Sequence, residues 1–455
     1  MSAKADIVRF TGTFAKHRIA KPTIVRPTTF RDIQEYLDPS SNYLAPFRPM
    51  GAGSSSTDCS AATAGTVIDM TGMDQITKID AYSDTVTVQA GVRLHRLVDA
   101  LAESGLELAG NFDLMNRTVG GAVAGGCIGP SMRGDGAFFA RQVIGMKVIT
   151  PAGKLQEIGQ NQKNILHAFR LSYGMLGIIC VVTLRVRPIQ VFVATHRRCT
   201  IDQLAASANK FATANIGLKF YLLPFRDRVY LDLRSYSSKT RSTHSIPWKI
   251  KDWGESTVLP SVFKSLGRIV PMSGVRYRLI DGISEATQGL VNNPLVSSGN
   301  NAATQSLRVN GSEGTSRLQY STWCFPATDF AIVAKAYQNF CHDTYHKTHF
   351  RCDMPTVGFL LPRDRSALLS PTFDEPMFAL RAVSTPSKGW EDFVIDFAEF
   401  AQHWGASPFF NQTRSMEQDY ARQAFSSRID FFKKIRRQLD PANRMMNSFL
   451  SQYFL

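Results

Sequence analysis

The sequence predicts an α+β protein of two unlike domains with a C-terminal helical segment, and three observations carry that expectation. Nineteen of the 32 glycines fall between Gly51 and Gly177, which concentrates backbone-lined loops in the first 190 residues. Runs with a period of two and runs with helical spacing follow one another without an internal repeat. Beyond Pro188 the glycine-rich character ends, and longer strands and amphipathic helices take over. A chain of 455 residues is long enough for two or three domains. With 44 % hydrophobic and 20 % charged residues it can bury ordinary cores, and a disordered or collagen-like chain is excluded.

The elements follow in order. Thr66–Met70 and Thr85–Gln89 are short β-runs bounded by turn residues. Leu94, Leu97, Val98 and Leu101 lie one helical turn apart within Arg93–Ser104, and Gly105 is placed to end that helix. Val143–Ile149 and Gly177–Val186 are strands, the second closed by Pro188. Lys219–Leu233 and Leu318–Phe325 are strand-like, and Val296–Ser316 is a polar loop. Ala327–His342, Trp390–Trp404 and Ile429–Leu439 carry helical periodicity. The expected division is 1–190, 191–405 and 406–455, with a basic insertion at about 234–316.

Apolar stretches fall short of the roughly 18–20 residues of a bilayer span. The first twenty residues mix charge with apolar side chains and lack a signal-peptide core, so the expected compartment is the cytoplasm. Seven cysteines without a CxxC pair point away from a disulfide framework or a thiolate zinc site. The net charge is +15, and the stretch from Arg234 to Arg278 holds nine basic residues against Asp252 and Glu255, with Trp248, Trp253 and Phe263 interleaved. That pattern suits an anionic membrane surface, a phosphorylated substrate or a nucleic acid, against the plainer reading of a solvated insertion.

Three constellations carry chemistry. Arg48, Pro49, Met50, Gly51, Ala52, Gly53, Ser54, Ser55, Ser56, Thr57 and Asp58 present open backbone N–H groups and hydroxyls, as a pyrophosphate requires, without a Walker A or GxGxxG pattern. Thr118, Val119, Gly120, Gly121, Ala122, Val123, Ala124, Gly125, Gly126, Cys127, Ile128 and Gly129 let a large flat ligand lie against backbone, or else form a tight turn or glycine helix. Ser172–Ile179 brings Gly174 and Gly177 into the long strand.

The order and spacing of these segments resemble the FAD-binding domain of the vanillyl-alcohol oxidase / p-cresol methylhydroxylase superfamily. The remainder, through Leu318–Pro326, Gly358–Pro386 and the closing Ile435–Arg444, resembles the decaprenylphosphoryl-ribose 2′-epimerase oxidase subunit and the sugar-1,4-lactone oxidases. The resemblance implies a two-subdomain FAD-binding domain of the p-cresol methylhydroxylase (PCMH) type, an α+β substrate domain, and a C-terminal segment returning to the cofactor. It implies that Arg48–Asp58 and Thr118–Gly121 wrap the pyrophosphate and ribityl chain, that Gly125–Ile128 line the ring, that Ile178 or Ile179 holds the adenine end, and that Asp113 is a further cofactor-binding residue.

Departures from the family pattern shape the rest. Ser54 or Ser55 stands where many members attach FAD to a histidine, and Asn116 stands near the second attachment cysteine, so non-covalent FAD is implied. Ile128-Gly129 replaces a frequent His-Gly. Gln412 and the His403-Trp404-Gly405-Ala406 run both lack the lysine of their counterparts, and Thr322 replaces a glutamine while Gln319 is kept.

The implied activity is oxidation of a CH–OH group of a sugar-like or polyprenyl-phosphoryl-sugar substrate by hydride transfer to flavin. Its alternatives are a sugar-lactone or alditol oxidase, a flavin-binding protein with lost catalysis, or a basic nucleic-acid module. Candidates for orienting the hydroxyl or taking its proton are His403, Tyr320, Thr322, Tyr420 and Gln412, of which His403 is the residue type suited to act as a base near neutrality. The implied partners are a small or lipid-linked sugar, a partner reductase and a peripheral membrane contact; a nucleic acid is not expected.

Overall fold

The computed structural model describes residues 21–110, 112, 116–237, 259–270, 272–296, 301–302 and 318–455. Three large sheets organise them, beside a two-stranded pairing of Leu106–Glu107 with Arg187–Pro188. A parallel three-stranded sheet pairs β1 (Thr23–Val25) and β2 (Phe47–Met50) on either side of β3 (Thr66–Asp69). An antiparallel sheet has the order β4-β5-β8-β6-β7, built from β4 (Ile76–Asp80), β5 (Thr85–Gln89), β6 (Val143–Ile149), β7 (Leu155–Gly159) and β8 (Ile178–Arg185). The alternation read from Thr85–Gln89 is the reason β5 sits here: Val86 and Val88 point inward and are fully buried.

Helix α1 (Phe30–Leu37) starts at a reciprocal cap in which the Thr29 hydroxyl accepts from the Asp32 N–H and the Asp32 carboxylate accepts from the Thr29 N–H. The Thr28 N–H, together with the Thr29 hydroxyl and N–H, donates to the Asp32 carboxylate and holds its pKa down at about 2. Helix α2 (Leu94–Glu103) buries Leu94, Leu97, Val98 and Leu101, the four residues whose spacing marks it in the sequence. The glycine-rich run at 118–129 contains a short helix, α3 (Val119–Ala124), followed by α4 (Lys163–Phe169).

From Val191 onward one sheet of eight strands forms the second half. Its long strands are β9 (Val191–Cys199), β10 (Gly217–Leu223), β11 (Arg228–Ser237), β12 (Gln319–Pro326), β13 (Thr356–Leu361) and β14 (Met377–Ser384). They run in the order β9-β11-β10-β13-β14-β12, flanked by short edge pieces at Asn301–Ala302 and Ser407–Pro408. Helices α5 (Ile201–Thr213), α8 (Phe330–Thr348) and α9 (Trp390–His403) cover one face. Between them lies a core that includes Phe220, Leu231, Trp323, Phe325, Phe330, Tyr337, Leu380 and Phe397.

The stretch expected as a basic insertion is partly regular structure. Arg234 is not part of an insertion: it is a buried residue of β11 whose guanidinium donates to both carboxylate oxygens of Asp232 at 3.0 and 2.7 Å. Residues 259–296 form two helices, α6 (Leu259–Ile269) and α7 (Ser273–Val296), because Leu259, Phe263, Tyr277 and Ile280 find a common apolar contact. Trp248, Lys249, Lys251 and Trp253 lie outside the described residues.

The C-terminal helices α10 (Tyr420–Phe425), α11 (Ser427–Leu439) and α12 (Ser448–Phe454) return to the first half, where Phe425, Phe432, Leu450 and Phe454 join the core of Leu97, Phe169 and Ile178. Two polar clasps fix this return. Asn447 donates to the carbonyls of Asp58 and Ala61, each at 2.8 Å. Arg48 is 1 % exposed, and its guanidinium donates to the carbonyls of Cys59, Tyr173, Gly174 and Met445. Burial pulls the Arg48 pKa down to about 10, so it stays charged at neutral pH. A third cluster joins the halves: Arg187 donates to Glu107 at 3.0 Å and Asp135 at 2.7 Å, and Tyr236 of β11 donates to Asp135.

Replacing Arg48 with Met should leave four buried carbonyls without their donor. We expect a loss of about 3–5 kcal/mol of stability, the scale set by removing one partner of a buried charged network. Denaturant titration checks it; a loss below about 1 kcal/mol would show that the clasp is dispensable.

Candidate active site

A cleft of about 800 Å³, solvent-open part included, lies between the β2 loop, α3 and the start of β8. The floor is backbone. Met50–Ser55, Thr118, Gly120, Gly121, Ala124, Gly125, Gly174, Gly177 and Ile179 line it, together with Cys59, Arg117, Tyr173 and Asn411.

Two glycines show why small residues stand here. A Cβ at Gly51 would lie 2.0 Å from the Thr118 Oγ1, so the loop can approach α3 only without a side chain. Gly174 has φ +74° beside Pro49, a left-handed turn that brings its carbonyl to Arg48. Among the described lining residues there is no carboxylate, and one guanidinium, Arg117, donates to the Gly126 carbonyl. Burial pushes the Cys59 thiol and the Tyr173 phenol up, so both walls stay neutral. A groove of N–H groups, hydroxyls and one cation suits a dinucleotide carrying a pyrophosphate. The side chains present fit FAD in that sense.

The expected cofactor residues divide by location. Pro49, Met50, Gly51, Ala52, Gly53, Ser54, Ser55, Thr118, Gly120, Gly121, Gly125 and Ile179 line the cleft. Arg48 does not: it points inward to the four carbonyls, and its role is to hold the wall from behind. Ser56 and Thr57 also turn away, donating to the Gln412 and Phe410 carbonyls at 3.2 and 2.6 Å. Asp58 offers its carbonyl to Asn447. Val119, Cys127, Ile128 and Ile178 are buried in the main core and do not line the cleft. Gly126 stands one residue behind the wall, its N–H donating to Asn411 at 3.3 Å. Asp113 lies outside the described residues.

Above one end of the cleft the large sheet supplies a polar cluster. Strand pairing sets Thr322 of β12 opposite Arg381 of β14, both on the face turned from the helices. The Thr322 hydroxyl donates to Gln412 Oε1 at 3.0 Å, and Gln412 Nε2 donates to the Gly126 carbonyl at 2.6 Å. Arg381 donates to Thr322 Oγ1 at 3.3 Å and to Gln412 Oε1 at 3.4 Å. Tyr320, two residues along β12, donates to the carbonyl of the cleft residue Ser54. Lys219 of β10 lies farther along this face, 5.0 Å from the Tyr221 ring and 5.8 Å from Phe359, whose ring is 5.2 Å from the Arg381 guanidinium.

Tyr320, Thr322 and Gln412 are therefore brought together, whereas His403 and Tyr420 are not. His403 is exposed at the end of α9, edge-on to Trp404 at 5.6 Å, on the helix-covered side of the sheet. Tyr420 packs on Trp323 in the helix-side core and donates to the Ala406 carbonyl at 2.8 Å. Neither lines the cleft, because the sheet stands between. Sequence reasoning missed Arg381, Arg117 and Asn411. The signal for Arg381 is a single cation within Met377–Ser384, a strand otherwise without charge and buried along its whole length.

Comparisons with known proteins agree with this geometry. A family model described as FAD binding domain matches residues 22–159, and one described as D-arabinono-1,4-lactone oxidase matches residues 182–453. The chain is 28 % identical to the mitochondrial L-galactono-1,4-lactone dehydrogenase of Brassica oleracea over 214 residues, 47 % of this chain and 35 % of that protein. It is 27 % identical to L-gulono-1,4-lactone dehydrogenase of Mycobacterium tuberculosis over 209 residues, 46 % of this chain and 48 % of that protein. These matches thus span between about a third and a half of the relatives' own length. In fold it resembles cholesterol oxidase from Brevibacterium sterolicum, with a TM-score of 0.75 at 14 % identity over 96 % of this chain and 97 % of that one. A TM-score of 0.66 at 13 % identity relates it to 6-hydroxy-D-nicotine oxidase from Arthrobacter nicotinovorans, over 96 % of this chain and 93 % of that one.

A valine at Gly121 tests the cleft directly. Its Cβ would meet only the Thr118 hydroxyl, at 3.0 Å, so the fold should survive while the branched side chain fills the groove. The expected product is folded, colourless protein; full flavin occupancy in Gly121→Val would show that the cofactor lies elsewhere. With the cleft, the roofing sheet and both family matches in agreement, the chain belongs to the D-arabinono-1,4-lactone oxidase family, and the cofactor of its N-terminal domain is FAD.

Proposed function

We propose that the protein oxidises a CH–OH carbon of a sugar-like substrate, with sugar-1,4-lactones as the leading class. The observation that carries this reading is the Tyr320–Thr322–Arg381–Gln412 cluster over the end of the cleft. FAD, when bound, supplies a hydride acceptor. The chain's own residues do the rest. Hydroxyl, amide and guanidinium groups match a polyhydroxylated ligand, whose many oxygens both donate and accept. Arg381, within hydrogen-bond reach of Thr322 and Gln412, lowers the cost of negative charge developing on a substrate hydroxyl oxygen beside them. Gln412 is a neutral amide and orients; it takes no proton, and the hydroxyl proton leaves to water as the hydride passes to the flavin. The lactone class is put ahead of a polyprenyl-phosphoryl sugar because the model that matches the second half is that of a lactone oxidase.

Ser54, Ser55 and Asn116 offer no side chain for a covalent flavin link, so FAD is held by the cleft alone and should leave with the supernatant after acid precipitation. Flavin retained in the pellet would refute this. For the reaction, anaerobic addition of L-galactono- or L-gulono-1,4-lactone should bleach the visible flavin absorbance. Arg381→Leu should keep the flavin and lower kcat/KM by about 10²–10³-fold, the usual cost of removing one preorganised donor. Failure of every lactone to bleach the wild-type flavin sinks the lactone reading.

A further inference from the structure

We propose that the tip of the α6–α7 hairpin is a docking surface for an anionic lipid bilayer. The hairpin is firmly seated at its base. Leu259, Phe263, Tyr277 and Ile280 are buried together against Tyr345 and Met354. Arg351 donates to Asp281 and to the Tyr277 carbonyl, and its guanidinium lies 4.1 Å from the Phe225 ring and 4.6 Å from that of Tyr277. Arg226 and Arg228 face Asp281 and Glu285 at 3.8 Å each. The surface at the other end is therefore presented on a fixed platform.

That surface is apolar and exposed. Ile269 at the end of α6 is 74 % exposed and Met272 in the turn 69 %; Val275 and Leu279 on α7 are 46 % and 44 % exposed. The spacing of 272, 275 and 279 puts them on one stripe, on the side of α7 away from the buried Tyr277 and Ile280. Arg276 and Arg278 flank the stripe on its two sides, and Lys264 is exposed on α6. From Ser256 to Ile280 the sequence holds Lys264, Arg268, Arg276 and Arg278 and no Asp or Glu.

Charge selects the occupant. A second copy would set this basic stripe against itself, on a chain whose net charge is already +15. A nucleic acid would pair with the cations but has no use for four exposed aliphatic side chains. An anionic bilayer meets both demands, since headgroups pair with Arg and Lys while the acyl boundary takes up Ile, Met, Val and Leu. The same α7 leans on the cleft-side face of the large sheet, where the Tyr230 hydroxyl donates to the Glu285 carbonyl at 3.5 Å. The docking surface thus belongs to the domain that roofs the cleft, and the proposal stands whatever the substrate proves to be.

The test is co-sedimentation of the full flavin-loaded chain with vesicles of phosphatidylcholine alone and of phosphatidylcholine mixed with phosphatidylglycerol. Wild type should pellet with the anionic vesicles and be released by high salt. Each basic residue contributes about fivefold, so Lys264→Gln/Arg278→Gln should weaken binding by about 25-fold. Ile269→Asp/Met272→Asp should weaken it by about tenfold or more. All four side chains are exposed, so unchanged thermal midpoints and flavin content serve as the folding control. No sedimentation of wild type, or undiminished binding by the apolar pair, overturns the proposal. A solution oligomer broken by Met272→Asp, or salt-sensitive DNA binding without vesicle binding, also overturns it by assigning the surface to another occupant.

Discussion

The buried guanidinium of Arg48 is the interaction on which the cleft depends. A charge taken out of water is tolerated only if every donor finds an acceptor. Here the acceptors are carbonyls from three separate parts of the chain: Cys59, the Tyr173–Gly174 turn and Met445. Cys59, Tyr173 and Gly174 are themselves cleft walls. One side chain behind the groove therefore sets the spacing of the surfaces in front of it. Carbonyls turned toward Arg48 are also carbonyls turned away from the cleft, which leaves N–H groups and hydroxyls for an anionic ligand.

The second constraint is the pleat of the large sheet. Along β12 and β14, Trp323 and Leu380 go to the helix-side core, while Thr322 and Arg381 go to the cleft side. The side-chain period of two makes these assignments inseparable, since a slip of one residue would bury the polar pair among aromatics and expose Trp323 to the cleft. The hydrophobic core thus positions the polar cluster. Gln412 completes it from the turn after Phe409, whose ring contacts Phe138 of the first half, so the cluster is fixed by both halves at once.

Much of this was legible in the sequence, and the exceptions have physical reasons. Period and capping betray β5, α2, α9 and α11 because each exposes one face and buries the other. The cleft loops are legible because close backbone approach demands glycine, as at Gly51. Arg48 misleads: an arginine beside a Gly-Ser loop suggests a phosphate contact, and only the fold reveals four carbonyls already waiting for it. His403 misleads in the same way, since residue type announces a base while the sheet places it on the wrong side. Arg381 and Asn411 are found only when long-range pairing brings β14 and the 409–412 turn onto Gly126. The α6–α7 hairpin escaped because its apolar residues are divided between an inner contact and an exposed stripe, which blurs the single-faced pattern.

The Asn447 clasp bears on the order in which the protein comes into being. The carbonyls of Asp58 and Ala61, in the segment that follows the first loop, find their donor in a side chain 386 or more residues later. Met445 accepts from Arg48 across a separation of 397. A chain emerging from the ribosome at about 5–20 residues per second makes its N-terminal sheets long before these partners exist. The groove is therefore among the last parts of the molecule to be finished. During synthesis the first domain waits with a half-built wall until residues 445–447 have been made.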